Sequence, residues 1–213
     1  MERNFVHPMD IKLYSSSCRG DLEGVKSALM HGGRVGIRKN GRSPLLVAAW
    51  NGHTDICRLL LAHGSFSSIN ERDSKGNTPL SVAVQKRHRA ICELLLAHGA
   101  LPETENSYNL QFAAKNGDED IIASLISCGA DVNLEGSEGG WTPLSVACEH
   151  GHLSCVHTLL KAGANLTPRS GKDLPINVAA KHNREEIVRI LLEHGCSPDT
   201  VCINVFALTP PST

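Results

Sequence analysis

Short apolar stretches with helical spacing recur along the chain, and each one ends at a glycine. Residues 59–64 and 94–99 both read Leu-Leu-Leu-Ala-His-Gly, and four weaker copies share the ending. The closing residues are Gly32, Gly64, Gly99, Gly129, Gly163 and Gly195. Apolar residues three and four positions apart, such as Ile56, Leu59 and Leu60, predict an amphipathic helix before each of these glycines.

A second landmark keeps the same register. Four prolines, each between Ser, Thr or Leu and an aliphatic residue, lie 20 residues before a closing glycine; they are Pro44, Pro79, Pro143 and Pro175. A hydroxyl residue before proline predicts a helix start, because the hydroxyl caps a free N–H and proline suits the first helical position. A break at Gly52, and again at Gly151, ends that first helix after about two turns. The pattern therefore predicts a helix pair repeated six times.

The predicted repeats span about residues 10–37, 38–72, 73–102, 103–136, 137–168 and 169–199, with an N-terminal segment at 1–9 and a tail at 200–213. The first repeat carries Ser16 and Ser17 where others carry alanine, which indicates a polar cap. The fourth lacks the hydroxyl-Pro start, and its closing Gly129 follows Gly99 by 30 residues, the shortest of these intervals, so we expect it to be the least stable. The apolar tail is compatible with a truncated seventh repeat, with a segment that covers the sixth repeat, or with a contact between two chains.

The unit endings Gly-Ala-Asp-Val-Asn at 129–133 and Gly-Ala-Asn at 163–165 complete the pattern. With the prolines and glycines above, the chain resembles the ankyrin repeat family over about residues 10–199. The resemblance implies a mainly α-helical solenoid of about six stacked antiparallel helix pairs with β-hairpin fingers between them. The family's histidine after Thr-Pro-Leu is absent throughout. At the turn where the family prefers glycine, the third repeat has Arg87 and the sixth has Asn183.

Composition favours a protein partner. Hydrophobic residues make up 41% of the chain and aromatic residues only 4%, which predicts an aliphatic core. A formal net charge of -1 does not favour a nucleic acid partner. No stretch reaches the roughly 18 apolar residues of a membrane helix, and the charged N-terminus is unlike a signal peptide. We therefore expect protein partners, no nucleic acid, no membrane, and a cytoplasmic or nuclear location with the eight cysteines as free thiols.

One segment has the composition of a metal site. Cys148, His150, His152 and Cys155 lie within eight residues. Tetrahedral zinc sites of this type need wider spacing between the ligand pairs, and both cysteines fall at interior positions of the repeat, so we favour simple packing. No nucleophile–base pair or phosphate-binding loop is recognisable. We expect no metal, no cofactor and no catalysis.

A histidine precedes the closing glycine in four repeats, at His31, His63, His98 and His194. An imidazole at a helix C-terminus interacts favourably with the helix dipole. We expect these four histidines to stabilise helix ends rather than to bind a metal.

The family resemblance implies that a partner lies along a concave face made of the fingers and the first helices. Carried over by position, the predicted partner-binding residues are Arg42, Trp50, Asn51, Lys75, Asn77, Gln85, Lys86, Ser107, Lys115, Trp141, Glu149, His150, Asp173, Lys181 and His182. Both tryptophans of the chain are in this set, and tryptophan is a frequent interface anchor. Charge alternates along the repeats, basic near Arg42, acidic in the middle and basic again near Lys181.

Four further hypotheses are open. Asn133, eight residues after Leu125, resembles a hydroxylation site of the oxygen-sensing asparaginyl hydroxylase in ankyrin repeats, although both residues also belong to the ordinary repeat pattern. The chain could serve as the substrate-recognition part of a ubiquitin ligase, although no recruitment box follows Asp199. It could also be a fragment of a larger enzyme or a structural spacer.

Overall fold

The computed structural model describes residues 7–64, 68–103, 108–136, 140–168 and 174–197. The chain divides into two compact units, residues 1–109 and 110–213, and each is described by itself. The tail at 200–213 and most of the N-terminal segment, residues 1–6, lie outside the described residues.

The first unit contains three helix pairs among its described residues. The helices are α1 (Pro8–Arg19), α2 (Leu22–Met30), α3 (Pro44–Asn51), α4 (Thr54–Ala62), α5 (Pro79–Gln85) and α6 (Arg89–Ala97). Each odd-numbered helix packs against the next even-numbered one, α1 and α5 both pack against α3, and α2 and α6 both pack against α4. The predicted layers of first and second helices are therefore confirmed within this unit.

The second unit repeats the arrangement. Its helices are α7 (Asn109–Asn116), α8 (Glu119–Ser127), α9 (Pro143–His150), α10 (Leu153–Lys161), α11 (Pro175–Lys181) and α12 (Glu185–Glu193). Helix α9 packs against α10 and α11, α11 packs against α12, and α10 packs against α8 and α12. Helix α7 begins at the last residue of the first unit, where the fourth repeat lacks the hydroxyl-Pro start.

Hydroxyl side chains cap the first helices as the sequence predicts. The Ser43 hydroxyl accepts a hydrogen bond from the Leu46 N–H at 3.2 Å, and Thr142 accepts one from the Ser145 N–H at 3.2 Å. Thr78 and Ser81 exchange two such bonds, at 3.1 and 2.9 Å. Each cap contributes about 1 kcal/mol to helix stability. Leu174 provides no side-chain cap to α11.

The turn between the two helices of a repeat requires a positive φ, and at Gly52 it leaves little room for a side chain. Gly52 has φ +80°, and a Cβ atom built there would lie 2.8 Å from Cε1 of His88 in the next repeat. Arg87 and Asn183 adopt the same left-handed conformation, with φ 61° and 55°. The predicted left-handed turn is thus present even where glycine is replaced.

The core consists of aliphatic side chains from both helices of each pair. The leucine that follows the first proline of α3, α5 and α9 is almost completely buried: Leu45, Leu80 and Leu144 are at most 1% exposed. Burying a leucine side chain contributes about 2 kcal/mol. Ser16 and Ser17 are also fully buried, so these two hydroxyls are not part of an exposed polar face, and the role of the first repeat as a cap stays a prediction. Their hydroxyls instead bond within the first repeat, to Asp21 and to the Leu13 carbonyl.

The fingers of the second and third repeats are tight turns. In the described part of the chain, the single β-bridge pairs Lys39 with Arg42, and no paired strands are present. The finger of the third repeat, residues 73–77 and here called the third finger, shows the reason. Asp73 Oδ1 accepts the N–H groups of Lys75 and Asn77, both at 2.9 Å, so a carboxylate takes backbone donors that a strand ladder would use. The expectation of β-hairpin fingers is corrected in this respect.

No helix in the described ranges is long and apolar enough to cross a membrane.

Candidate functional site

Trp50 is the centre of a cluster in the first unit. It lies near the end of α3, directly after the fully buried Ala48 and Ala49, and its own ring is half-buried. The Lys86 ammonium nitrogen is 4.6 Å from the centre of the Trp50 ring, and the Arg42 guanidinium carbon is 5.4 Å from it. Both distances allow cation–π attraction. Three predicted partner-binding residues from two repeats therefore meet at one ring.

The third finger holds Arg42 in place. Arg42 Nε lies 3.4 Å from Asp73 Oδ2, and the Asp73 side chain is only 1% exposed. Burial raises the pKa of Asp73, but hydrogen bonds from Asn77 and Lys75 and the charge of Arg42 outweigh it, so the pKa lies below its usual value. Asp73 remains an anion that positions Arg42 and the finger carrying Lys75 and Asn77.

Tyr14 and Lys39 extend this cluster. The Lys39 ammonium nitrogen lies 5.8 Å from the centre of the Tyr14 ring, and Lys39 is bridged to Arg42 through its backbone. Burial raises the pKa of Tyr14, and the nearby Cys18 thiol adds to this, whereas the charge of Arg42 acts in the opposite direction. We call Tyr14, Lys39, Arg42, Trp50 and Lys86 the Trp50 cluster.

The remaining predicted residues of the first unit, Asn51 and Gln85, lie at the ends of α3 and α5. The exposed Asn51 donates from Nδ2 to the carbonyls of Cys18 at 3.1 Å and Val47 at 3.0 Å, so it joins the first and second repeats. Gln85 is half-buried at the end of α5.

Glu149 is the centre of a second cluster, in the second unit. Its Oε2 lies 3.4 Å from His150 Nδ1, and its Oε1 lies 3.9 Å from His182 Nε2 in the next repeat. The rings of His150 and His152 are stacked, with centres 6.1 Å apart. The three predicted residues Glu149, His150 and His182 are thus brought together, and His152 joins them. We call these four residues the Glu149 cluster.

Other predicted residues of the second unit are exposed or half-buried. Trp141 is half-buried just before the Thr142 cap, and its carbonyl accepts a hydrogen bond from the Gly136 N–H at 2.9 Å. Lys115 and Lys181 are exposed near the ends of α7 and α11. Ser107 and Asp173 lie outside the described residues.

Histidine rings just before the second helices contact the preceding repeat. His53 Nε2 lies 3.2 Å from the Cys18 carbonyl, and His88 Nε2 lies 3.3 Å from the Trp50 carbonyl. In the second unit, His152 Nε2 lies 3.0 Å from the Lys115 carbonyl. These histidines close the C-terminal end of the preceding first helix, where carbonyl groups lack helical partners.

The four histidines before the closing glycines stabilise helix ends, in agreement with the prediction. Their Nδ1 atoms lie 2.7 to 2.9 Å from the carbonyl four residues earlier. Each ring is thereby held against the last turn of its own helix.

The cysteines of the fifth repeat are packing residues. Cys148 and Cys155 are fully buried, and burial raises the pKa of both thiols, that of Cys155 to about 11. The His152 ring faces the Lys115 carbonyl. Among the described residues, no group of three His, Cys, Asp or Glu side chains could hold a metal ion.

Asn133 joins the fourth repeat to the fifth. Its Oδ1 accepts a hydrogen bond from the Asn165 N–H at 2.7 Å, and its Nδ2 donates to the Gly163 carbonyl at 3.3 Å. Asn133 therefore has a structural role in the stack, and its hydroxylation stays a prediction.

Sequence reasoning did not select Tyr14. The signal was available, because Tyr14 stands where the next repeat has the buried Leu46, and an aromatic hydroxyl there indicates a partly exposed position. Lys39 lies in the basic stretch near Arg42 and was not among the predicted partner-binding residues either.

The chain matches known proteins in its repeats. The family model described as ankyrin repeats (3 copies) matches residues 13–106 and 110–202. The human 2-5A-dependent ribonuclease is 39% identical over 61 residues, covering 29% of this chain and 8% of that protein. Human ankyrin repeat domain-containing protein 40 is 38% identical over 65 residues, covering 30% and 18%. The chain thus spans a small fraction of these relatives.

Solved structures share the fold over most of the chain. The ankyrin repeat domain of human ASB11 is 27% identical with a TM-score of 0.78, covering 87% of this chain and 84% of that one. An ankyrin repeat domain from Acinetobacter baumannii is 27% identical with a TM-score of 0.79, covering 87% and 98%. Because the family model covers well over half of the residues and the helix pairs recur in both units, this chain belongs to the ankyrin repeat family.

Proposed function

We propose that the chain is a non-catalytic interaction module that binds a partner protein along the side of the repeats that carries the fingers and the ends of the first helices. The observation that carries this proposal is Trp50, a half-buried indole with Arg42 and Lys86 over its ring. Tryptophan and arginine are the residues that most often dominate protein interfaces.

The surroundings of Trp50 favour binding because they limit the freedom of the side chains involved. Arg42 is tied to the buried Asp73, and Asn51 is tied to two carbonyls. Side chains that are already ordered lose less conformational entropy when a partner binds. The surface around Trp50 is therefore preorganised for binding a partner.

In the second unit, Trp141 and the Glu149 cluster support the same assignment. Glu149 and its imidazole neighbours present charge and hydrogen-bonding groups near the ends of α9 and α11. We infer that the partner is a protein rather than nucleic acid, because the chain carries nearly equal numbers of basic and acidic residues. A cytoplasmic or nuclear location agrees with this function.

The proposal can be tested by affinity purification with the intact chain beside a Trp50→Ala, Trp141→Ala double variant. Proteins captured by the intact chain are then purified, and their affinities for both forms are measured by calorimetry. We expect the double variant to bind at least about tenfold more weakly, since losing a buried tryptophan anchor typically costs about 2 kcal/mol or more.

A matched control changes exposed apolar residues away from the fingers. Met30, at the end of α2, is 84% exposed, and Leu153, at the start of α10, is 37% exposed. A Met30→Ala, Leu153→Ala double variant should bind as the intact chain does. If the tryptophan variant is folded by circular dichroism and keeps its affinity for every partner, the proposed face is wrong.

A further inference from the structure

The charges around Trp50 are unevenly balanced. Lys39, Arg42 and Lys86 all belong to the Trp50 cluster, and Lys75 is exposed on the neighbouring finger. Among the residues that the structure describes, one carboxylate, that of Asp73, pairs with Arg42; its side chain is 1% exposed and already accepts hydrogen bonds from Lys75 and Asn77. The described part of the surface that a partner would meet is therefore cationic.

The next acidic side chain in this part of the unit does not restore the balance. Glu71 is near Arg38, with 3.9 Å between Oε2 and Nε, and Arg38 also donates to the Gly41 carbonyl from Nη2 at 2.7 Å and to the Arg72 carbonyl. Arg38 and Glu71 thus pair with each other, at the base of the fingers. Because the charges of Arg38 and Glu71 offset each other, Glu71 does not neutralise the cations of the Trp50 cluster.

The aromatic rings give this cationic surface a particular form. The Trp50 and Tyr14 rings are both half-buried, and each has a cation within 6 Å of its centre. A cation–π contact leaves the remaining N–H donors of lysine and arginine able to bind an anion. Carboxylates of a bound segment can accept those donors while its aliphatic carbons lie on the rings.

We propose that the Trp50 cluster binds an acidic peptide segment, rich in Asp or Glu, of a partner protein. This inference rests on the proposed function and names the chemistry of its partner. Charge-assisted hydrogen bonds from Arg42 and Lys86 hold the carboxylates, and the Trp50 indole provides the apolar contact. Complementary charge sets the register and the association rate of such a segment.

The test is a titration of the full chain with hexaglutamate, followed by NMR. The chain contains two tryptophans, so its spectrum has two indole N–H signals, which a Trp141→Phe variant assigns. We expect the Trp50 indole signal and the backbone amides of Tyr14, Lys39, Arg42 and Lys86 to shift, whereas the Trp141 indole signal stays in place. Raising the salt concentration should weaken the binding, because exposed charges are screened.

Variants separate charge from structure. An Arg42→Gln, Lys86→Gln double variant should bind hexaglutamate at least about tenfold more weakly, and Lys86→Arg should retain binding. Lys161→Gln, which removes an exposed lysine at the end of α10, serves as the matched control and should bind as the unchanged chain does. Circular dichroism shows whether each variant is folded.

Several outcomes would overturn the inference. They are no shift with hexaglutamate, shifts spread evenly over both units, an equal effect of hexalysine, or binding that the double glutamine variant retains. Tighter binding of single-stranded oligothymidylate at the same residues would assign the surface to nucleic acid instead. If hexaglutamate fails while the natural partner still requires Trp50, the acidic chemistry is wrong and the proposed function stands.

Discussion

Arg184 donates two hydrogen bonds to the carbonyl of Glu149, from Nε at 3.2 Å and from Nη2 at 3.1 Å. In the sixth repeat, this arginine occupies the place that His152 holds in the fifth. The guanidinium also packs closely on the turn of the fifth repeat, where a Cβ built on Gly151 would lie 2.8 Å from Arg184 Nε. Two different side chains thus close the same kind of helix end.

Replacing Arg184 should destabilise the sixth repeat. We expect Arg184→Ala to lower the free energy of unfolding by about 1.5 kcal/mol, because the Glu149 carbonyl loses a charged donor. Arg184→His should recover most of this, since His152 makes the equivalent contact. Arg189→Ala is the control: its pair with Glu186 is exposed and contributes little. Urea unfolding of the three variants tests this, and an unchanged Arg184→Ala midpoint would contradict it.

Asp10 should make the stability of the first repeat depend on pH. Burial raises the pKa of Asp10, but hydrogen bonds from the Arg34 side chain and N–H and the charge of Arg34 outweigh it, so the folded pKa lies below its usual value. The stability that the ionised Asp10 contributes is therefore fully present above the unfolded pKa of about 4, and it is lost as the pH falls through the folded pKa.

Asp10→Asn measures that contribution. We expect this substitution to lower the free energy of unfolding by about 2 kcal/mol at pH 7, because the buried carboxylate accepts charged hydrogen bonds. The difference between Asp10→Asn and the unchanged chain should shrink in denaturant titrations as the pH falls below 4. Asp55→Asn, at an exposed position of α4, should show no such convergence. A constant difference at all pH values would rule out the proposed linkage.

Thiol reactivity should follow burial. Burial raises the pKa of Cys57 to about 12, and Cys148 and Cys155 are also buried with raised pKa values. Cys128 is exposed. We expect iodoacetamide at neutral pH to label Cys128 before the three buried thiols, which should react only after unfolding, because the thiolate is the reactive form. Peptide mass spectrometry over time checks the order, and early labelling of Cys57 would contradict the burial.

The fourth repeat should open before the second and fifth. Asn109 donates to the Pro102 carbonyl and Gln111 to the Leu134 carbonyl, both at 2.6 Å, but Asn109 Oδ1 and Gln111 Oε1 are buried without a hydrogen-bond partner. A buried polar atom without a partner costs about 1–3 kcal/mol. Amide hydrogen exchange should then be faster at residues 108–133 than in α3, α4, α9 and α10. Uniform protection would remove this prediction.

Hydroxylation of Asn133 can be tested with the whole chain and an asparaginyl hydroxylase. We expect the peptide containing Asn133 to gain the mass of one oxygen atom, and an Asn133→Ala variant to remain unmodified. The same variant should lower the free energy of unfolding by about 1 kcal/mol, because the bonds to Gly163 and Asn165 are lost. An unmodified asparagine after full incubation, with a known substrate modified in parallel, would contradict the prediction.

The repeat itself could be predicted from the sequence because its determinants are local. The hydroxyl of Ser43 or Thr142 caps a helix within three residues, and the turn at Gly52 needs a backbone conformation that depends mainly on that residue. Arg87 and Asn183, which replace the usual glycine, adopt the same left-handed turn. Helix pairs, buried leucines and histidine-capped helix ends all follow from spacing within one repeat.

The surroundings of each predicted site residue depend on contacts between repeats, about 30 to 40 residues apart. Position in the repeat selected Arg42, Trp50 and Lys86, but only the packing of α3 beside α5 brings Lys86 of the next repeat to the ring that Arg42 also contacts. The same holds for Glu149 with His182, and for Arg42 with the buried Asp73 of the next repeat. Local sequence therefore determined the helices and turns of this protein, whereas the tertiary structure decided which charges meet, because Coulomb and cation–π energies depend on distances that the stacking of neighbouring repeats sets.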